Sequence, residues 1–188
     1  MSDVLEPVIP VPELVESVPR LSTHLFDVVT DTLRYPDGHA IERTVVEHPG
    51  AVAIVPVDQQ GRWLLVRQYR HAARSVLLEV PAGTREAGEP PEVTAARELR
   101  EETGFAADSV TALGGAWAAP GFANEYMHYF LATGLRHDPL PQDEDENIGD
   151  PVAMTFDEVL VAIDDGRIED AKTIVAAMLW LRSQTGRE

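Results

Sequence analysis

Four charged side chains that could handle metal and phosphate chemistry lie within six residues: Arg97, Glu98, Glu101 and Glu102. Glu98 and Glu102 are four residues apart, so a helix would place both carboxylates on one face, and Glu101 lies near the same stripe. Carboxylates this close repel one another unless a cation lies between them. Hard oxygen ligands of this kind suit Mg²⁺ or Mn²⁺. The spacing indicates a divalent metal site, although a solvated helix with ion pairs would also explain this fragment alone.

The helix that must carry these carboxylates has recognisable ends. Pro90-Pro91-Glu92 is a typical start, because proline is tolerated in a first turn, and Gly104 is well placed as the C-terminal cap after Thr103. Arg97 precedes Glu101 by four residues and can hold that carboxylate in place. Leu99 falls on a different face and can anchor the helix to a core.

Strands and further helices are predicted around this helix from hydrophobic periodicity and turn residues. Residues 1–20 carry several prolines and acids and predict an extended arm. Residues 21–33 and 40–47 predict two paired strands joined by a turn at residues 35–38. The remaining predicted strands are 50–57, 63–70, 76–80, 110–117, 126–133 and 152–155, with a turn at 58–61, a loop at 81–83 and helices at 156–164 and 169–182. Helices among mixed strands indicate an α/β arrangement with helices flanking a sheet.

Residues 83–105 resemble the Nudix box at every specified position: Gly83, Glu89, Arg97, Glu98, Leu99, Glu101, Glu102 and Gly104, followed by Phe105, where the family more often has an aliphatic residue. So many coincidences would be rare by chance. The resemblance implies a Nudix fold of the α/β (α+β) class, in which a mixed β-sheet lies between helices and the box forms a loop, a helix and a loop. An additional N-terminal antiparallel sheet is expected.

The resemblance also implies roles within the box. Glu98 and Glu102 would be metal ligands, and Glu101 would be a ligand or a nearby base. The backbone carbonyl of Ala82 would complete the metal site, and Glu89 would join it through water. Arg97 would be structural. The expected cofactor is Mg²⁺, with Mn²⁺ as the alternative.

Residues outside the box resemble the ADP-ribose pyrophosphatase branch of the family. Residues 119–125 (APGFANE) contain Pro120 and Gly121, at the distance beyond the box where these enzymes carry a proline, and Glu125, where relatives have an acid near the metals or the terminal ribose. An ordinary Pro-Gly turn is the alternative reading. Arg70 resembles an arginine that contacts the diphosphate. Arg43 resembles one near the adenine that is supplied across a dimer, and surface solubility is its alternative explanation.

The general base is expected in an acidic loop, residues 143–148 (DEDENI). Relatives carry a mobile glutamate just before the next strand. Glu146 fits by its distance from Ile148, with Glu144 as the alternate and Glu101 on the helix as the competitor. Because Arg97 can engage Glu101, we expect Glu101 to serve better as a ligand than as a base. The implied reaction is attack of water on a phosphorus of the diphosphate, giving AMP and ribose 5-phosphate.

Composition narrows the possible partners and compartment. The formal net charge of -17 disfavours binding to nucleic acid or anionic membranes, and no stretch is apolar enough to span a bilayer. The absence of cysteine excludes disulfides and thiolate sites, and with no signal-peptide pattern it favours the cytoplasm.

The expected domain organisation is an N-terminal arm and strand pair, residues 1–48, and a Nudix hydrolase domain, residues 49–188. Strands ahead of Gly50 are not expected to be stable as an isolated hairpin, and they resemble a sheet that such enzymes exchange in homodimers. The expected activity is hydrolysis of ADP-ribose. The rivals are the same chemistry on another nucleotide sugar, such as ADP-glucose or GDP-mannose, and a non-catalytic ADP-ribose sensor.

Overall fold

The structure, a computed structural model, describes residues 9–142 and 148–185. The chain divides into two compact units, residues 1–48 with 119–125, and residues 49–118 with 126–188. The roles expected for an N-terminal exchanging arm and a hydrolase domain stay predictions.

The first unit contains a three-stranded antiparallel sheet of β1 (Glu13–Ser22), β2 (Asp27–Arg34) and β3 (Ala40–Glu47), in that order. The predicted turn is confirmed, since the Gly38 N–H donates to the Tyr35 carbonyl at 2.9 Å. The prediction of an extended arm was wrong for β1, and the strand predicted at 21–33 is interrupted before β2 begins. Proline lowers the local strand signal of β1, but an edge strand tolerates it, and pairing with β2 decides the conformation.

Residues 119–125 attach to β3 through main-chain hydrogen bonds. The Val46 N–H donates to the Phe122 carbonyl at 2.8 Å, and the Asn124 N–H donates to the Val46 carbonyl at 3.1 Å. The Asn124 side chain also accepts from the His48 N–H at 2.7 Å. This loop therefore belongs to the first unit although it lies far from β3 in the sequence.

The second unit is built around strand β4, which is buried along its whole length. Its strands are β4 (Ala51–Pro56), β5 (Trp63–Arg70), β6 (Ser75–Glu79), β7 (Ala82–Thr84), β8 (Phe105–Ala106), β9 (Ser109–Trp117), β10 (Tyr126–Thr133), β11 (Arg136–His137) and β12 (Val152–Met154). The sheets have the orders β7-β4-β10-β9, β12-β5-β6 and β11-β8. Strands β4 and β10 run parallel and the other pairs are antiparallel, so the first of these sheets is mixed.

Three helices complete this unit: α1 (Pro91–Thr103), α2 (Phe156–Asp164) and α3 (Ala171–Thr185). Alternate residues of β4 face different cores, as a strand requires. Val52 and Ile54 pack with Ala95 and Leu99 of α1, whereas the opposite face packs with Trp63 and with Ala176 and Ala177 of α3. The expected mixed sheet between helices is confirmed.

One local prediction in this unit was wrong. Residues 81–83 were expected as a loop, but Ala82, Gly83 and Thr84 form β7 and pair with Ala53, Val52 and Ala51. The strand is short and contains glycine, so only its long-range partner creates it. Within the described part of the chain, no helix combines the length and apolar character needed to cross a bilayer.

Candidate metal and diphosphate site

Helix α1 begins and ends where its sequence predicts. Pro91 occupies the first turn, where its missing N–H costs no hydrogen bond, and Gly104 closes the helix with a φ of 77°. The Gly104 N–H donates to the Arg100 carbonyl, which satisfies one of the last carbonyls of the helix. The carboxylates are therefore carried on a helix with fixed ends.

The buried residues of α1 form two adjacent rows at four-residue spacing. Ala95 and Leu99 form the apolar row and are fully buried, which confirms Leu99 as an anchor. The other row is polar and comprises Thr94, Glu98 and Glu102. Packing of the apolar row thus carries two carboxylates into the protein.

Strand β7 receives the two buried carboxylates. Glu98 is 5% exposed and Glu102 is 2% exposed. Glu102 Oε2 accepts a hydrogen bond from the Ala82 N–H at 3.0 Å. A Cβ atom on Gly83 would lie 2.0 Å from the Glu98 carboxyl group. Glycine at this position therefore allows the carboxylate of Glu98 to approach the strand backbone.

Arg97 gathers three carboxylates from the loop and the helix. Its Nη1 lies 2.7 Å from Glu98 Oε1 and 2.7 Å from Glu101 Oε2, and its Nη2 lies 3.4 Å from Glu89 Oε2. The predicted contact between Arg97 and Glu101 is confirmed. Because one guanidinium serves three carboxylates and Glu102 lies on the same helix, acidic charge exceeds basic charge here.

The environment stabilises the charged forms of Glu89 and Arg97. Burial alone would raise the pKa of Glu89, but hydrogen bonds from Arg97 and from the Thr94 hydroxyl, at 2.9 Å, hold that pKa below its ordinary value. Burial alone would lower the pKa of Arg97, but its carboxylate partners raise that pKa above its ordinary value. Both groups therefore remain ionised at neutral pH.

The donor chemistry of this cluster fits a hard divalent cation. All the candidate ligands are oxygen atoms, two of the carboxylates are nearly buried, and their charge exceeds that of Arg97. Across residues 9–142 and 148–185, no three acidic or histidine side chains converge on a single point. A cation held jointly by Glu98, Glu101 and Glu102 would therefore require these side chains to move closer to one another.

A second charged cluster joins β5, β6 and α3. Arg70 donates from Nε and Nη2 to the two oxygens of Glu79, at 2.9 Å and 2.7 Å. Lys172 Nζ donates to the same Glu79 carboxylate and, at 3.0 Å, to Asp170. Asp170 also accepts from the N–H and hydroxyl of Thr173, at 2.9 and 2.6 Å. Two cations and two anions alternate in this cluster.

Mutual attraction dominates the electrostatics of the second cluster. Burial alone would raise the pKa of Glu79, but Arg70 and Lys172 hold it below its ordinary value. Burial alone would lower the pKa of Arg70, but Glu79, and at longer range Glu102 and Asp170, raise it. The influence of Glu102 indicates that Arg70 lies within electrostatic reach of this one carboxylate of α1.

The other predicted substrate residues belong to the first unit. Arg43 lies exposed on β3, where its Nη1 donates to the Glu42 carbonyl at 3.0 Å. Pro120 and Gly121 lie in an exposed turn, and Glu125 Oε1 is 4.0 Å from His48 Nδ1. Their substrate contacts stay predictions.

The predicted catalytic and metal-binding roles are not tested by the contacts described above. Glu144 and Glu146 lie outside the described residues. Ala82 contacts Glu102 through its N–H, and the predicted metal contact of its carbonyl stays a prediction, as do the ligand roles of Glu98, Glu101 and Glu102 and the water-mediated role of Glu89.

Sequence reasoning missed three contributors to this region. Thr94 holds Glu89, Glu79 holds Arg70, and Lys172 holds Glu79. Thr94 and Glu89 are five residues apart and had a local signal. Lys172 is 93 residues from Glu79, and its one available signal was that it is the single lysine of the chain.

Comparisons with known proteins place the chain in a family. A family model described as the NUDIX domain matches residues 47–177. An ADP-ribose pyrophosphatase of Bacillus subtilis is 38% identical over 82% of this chain and 84% of its own length. An ADP-ribose pyrophosphatase of Mycobacterium tuberculosis is 47% identical over 65% of this chain and 59% of its own length.

A GDP-mannose pyrophosphatase of Yersinia pestis is 32% identical over 83% of this chain and 81% of its own length. A solved structure described as an ADP compounds hydrolase has a TM-score of 0.79 and 26% identity, covering 92% of this chain and 95% of its own.

Proposed function

The chain belongs to the Nudix family of hydrolases, and from that premise we propose that it cleaves the diphosphate of ADP-ribose to AMP and ribose 5-phosphate. The observation that carries the proposal is the set of three glutamates on α1, Glu98 and Glu101 in contact with Arg97 and Glu102 buried beside β7, in a chain 38% identical to an ADP-ribose pyrophosphatase. The structural likeness to an ADP compounds hydrolase supports the same substrate class.

The proposed cofactor is Mg²⁺, with Mn²⁺ as the alternative, since Nudix hydrolases generally use divalent metals. Glu98 and Glu102, with Glu101 and the Ala82 carbonyl, would hold the metal. Bound there, the metal would neutralise phosphate charge and lower the pKa of a water. The Ala82 N–H contacts Glu102, and Arg97 contacts Glu98 and Glu101, so metal binding would rearrange some of these contacts to bring the ligands together.

The proposed substrate contacts are those that the resemblance to ADP-ribose pyrophosphatases implies. Arg70 would bind the diphosphate, for which a guanidinium fork is suited. Arg43 would lie near the adenine, and Glu125, with Pro120 and Gly121, would lie near the terminal ribose or the metals.

The proposed general base is Glu146. Arg97 Nη1 lies 2.7 Å from Glu101 Oε2, so Glu101 is already engaged in an ion pair, which suits a ligand or a structural acid better than a proton acceptor. The test is turnover and metal affinity in Glu146→Gln and Glu101→Gln. We expect Glu146→Gln to lose turnover and keep metal binding, and Glu101→Gln to weaken metal binding. Normal turnover in Glu146→Gln with loss in Glu144→Gln would move the base to Glu144, and no effect of either would place it on α1.

The proposed assembly is a homodimer that exchanges N-terminal strands. Val29 is the only buried residue within residues 9–48, while Leu14, Val15 and Leu21 of β1 are 55%, 42% and 55% exposed. A sheet with so little burial gains stability from a partner surface. Light scattering at micromolar concentration should give a dimer, and a monomer would refute the exchange. Deleting residues 1–48 should damage assembly and substrate affinity, whereas Arg43→Gln should reduce affinity alone.

The net charge of the chain favours a small-molecule substrate over a large anionic partner. The net charge of -17 disfavours nucleic acid and anionic membranes as partners, and we propose a cytoplasmic location, which the cysteine-free composition suits.

The substrate proposal is tested with a panel of ADP-ribose, ADP-glucose and GDP-mannose in the presence of Mg²⁺, with products identified by chromatography. We expect the highest kcat/KM with ADP-ribose and products limited to AMP and ribose 5-phosphate. The second candidate is another nucleotide sugar, which the likeness to a GDP-mannose pyrophosphatase favours. A higher kcat/KM with GDP-mannose would select it.

A non-catalytic ADP-ribose sensor is the remaining alternative. It would bind ADP-ribose without releasing AMP in the same panel. The presence of all three glutamates on α1 argues against it, because a sensor has no need of a cluster whose negative charge exceeds its positive charge.

A further inference from the structure

We propose that Glu79 and Lys172 are positioning residues that hold the Arg70 guanidinium toward the substrate diphosphate and keep its positive charge available. This rests on the proposed function, in which Arg70 contacts the diphosphate. Neither residue belongs to the Nudix box or to the substrate residues predicted from the sequence.

Glu79 fixes one edge of Arg70. The carboxylate is 1% exposed, and both of its oxygens accept from the guanidinium, at 2.9 Å from Nε and 2.7 Å from Nη2. Such a fork fixes the plane of the guanidinium group. The Arg70 side chain nevertheless remains 38% exposed. One edge of Arg70 is thus fixed from inside the protein while the side chain keeps access to solvent.

Lys172 is itself held in place from the other side. Its ammonium lies 3.0 Å from Asp170, whose second oxygen caps the first turn of α3 by accepting from the Thr173 N–H at 2.9 Å. The Thr173 hydroxyl accepts from the Val80 N–H at 2.9 Å, next to Glu79. The start of α3 and the end of β6 are therefore tied together, and Lys172 meets Glu79 across that junction.

Charge balance explains why Glu79 has two cationic partners. With Arg70 alone, the buried carboxylate of Glu79 would offset the positive charge that Arg70 presents to a phosphate. Lys172 shares that carboxylate, so more of the charge of Arg70 remains available. Loss of Lys172 would leave Arg70 between Glu79, Asp170 and the more distant Glu102, with one additional net negative charge. Phosphate affinity should then fall.

A purely structural ion pair is the alternative, and kinetics separate the two. A structural role would lower stability and reduce the amount of active enzyme, leaving KM unchanged. A positioning role raises KM for the diphosphate substrate with little change in kcat, because the lost interaction is ground-state binding. It also makes the effect of Lys172 depend on the presence of Arg70.

The experiment is a double-mutant cycle on the full-length protein with ADP-ribose and Mg²⁺, using Lys172→Met, Arg70→Met and the double variant, with Lys172→Arg as the matched control. We expect KM to rise about tenfold in Lys172→Met while kcat stays within about threefold, and Lys172→Arg to restore KM to within about twofold. In the Arg70→Met background, Lys172→Met should change KM by less than about twofold. Circular dichroism checks the fold, and Lys172→Gln replaces Lys172→Met if that variant is unfolded.

An unchanged KM in Lys172→Met, or the same rise in KM whether Arg70 is present or absent, would overturn the positioning role. Failure of the proposed function has a different signature, since the wild-type protein would then fail to hydrolyse ADP-ribose. The same cycle run with ADP-glucose or GDP-mannose, whichever the wild type hydrolyses, still tests the coupling, because each contains a diphosphate.

Discussion

The two charged clusters of the second unit are built on opposite principles. Around Arg97, a single cation serves Glu89, Glu98 and Glu101, and Glu102 lies buried beside them. In the other cluster, Arg70 and Lys172 alternate with Glu79 and Asp170, so the charges balance. An excess of buried negative charge is costly unless a further cation is bound, whereas a balanced network is complete by itself. The first arrangement suits a metal site, and the second suits a network that holds the Arg70 side chain in position.

Because the two clusters differ in this way, neutralising a charged side chain should have a different effect in each. Neutralising a carboxylate of the first cluster removes a candidate metal ligand. Neutralising a member of the second cluster changes the orientation or the field of Arg70. The first change should abolish chemistry, and the second should alter binding or stability.

The largest effect is expected for Glu102→Gln. Glutamine keeps the size of the side chain and can still accept from the Ala82 N–H, but it loses the charge that a metal ligand needs. Turnover should fall by several orders of magnitude, with an unchanged circular dichroism spectrum. Glu92→Gln is the matched control, because Glu92 is exposed in the first turn of the same helix, and its turnover should match the wild type. Near-normal turnover in Glu102→Gln would contradict the metal-ligand role.

A smaller but still large effect is expected for Gly83→Ala. The added methyl group would lie 2.0 Å from the Glu98 carboxyl, which must move away. Because that carboxyl is the end of a flexible side chain, we expect activity to fall about a hundredfold while the melting temperature changes by only a few degrees. Gly149→Ala adds the same group where the nearest atoms are 3.8 Å away and should leave activity close to wild type. Wild-type activity in Gly83→Ala would show that the position of Glu98 is not critical.

The smallest effect concerns stability against pH in the balanced cluster. The pKa of Glu79 is below its ordinary value of 4.5 in the folded state. As pH falls, the unfolded state therefore takes up this proton first, and the contribution to stability is full above pH 4.5 and lost as pH falls through the folded pKa.

Glu79→Gln should consequently be less stable than the wild type at pH 7, by roughly 2 kcal/mol, and this difference in unfolding free energy should close as pH falls below 4.5 and through the folded pKa of Glu79. Urea denaturation at a series of pH values measures this difference in unfolding free energy. Glu92→Gln is the control and should follow the wild-type curve. A difference that stays constant over this range would mean that Glu79 does not carry the stabilising charge.

Local patterns made α1 and strand β5 predictable, because their ends are marked by proline, glycine and hydrophobic periodicity. The carboxylates of α1 were equally accessible, since their spacing alone places Glu98, Glu101 and Glu102 on neighbouring positions of one helix. Strand β1 was missed because its prolines weaken the local strand signal, although its partner β2 follows directly. Strand β7 was not predictable, because pairing with the distant strand β4 creates it. Glu79 and Lys172 were missed for the same reason, since 93 residues separate them and no local rule joins them.

Direct titration with Mn²⁺ by isothermal calorimetry tests the contrast between the clusters most directly, using the wild-type protein, Glu102→Gln and Glu79→Gln. The cluster around Arg97 should bind the ion, so Glu102→Gln should weaken affinity at least about tenfold, whereas Glu79→Gln should leave it within about twofold. Unchanged affinity in Glu102→Gln, or an equal loss in Glu79→Gln, would contradict the assignment of the metal to the acidic face of α1.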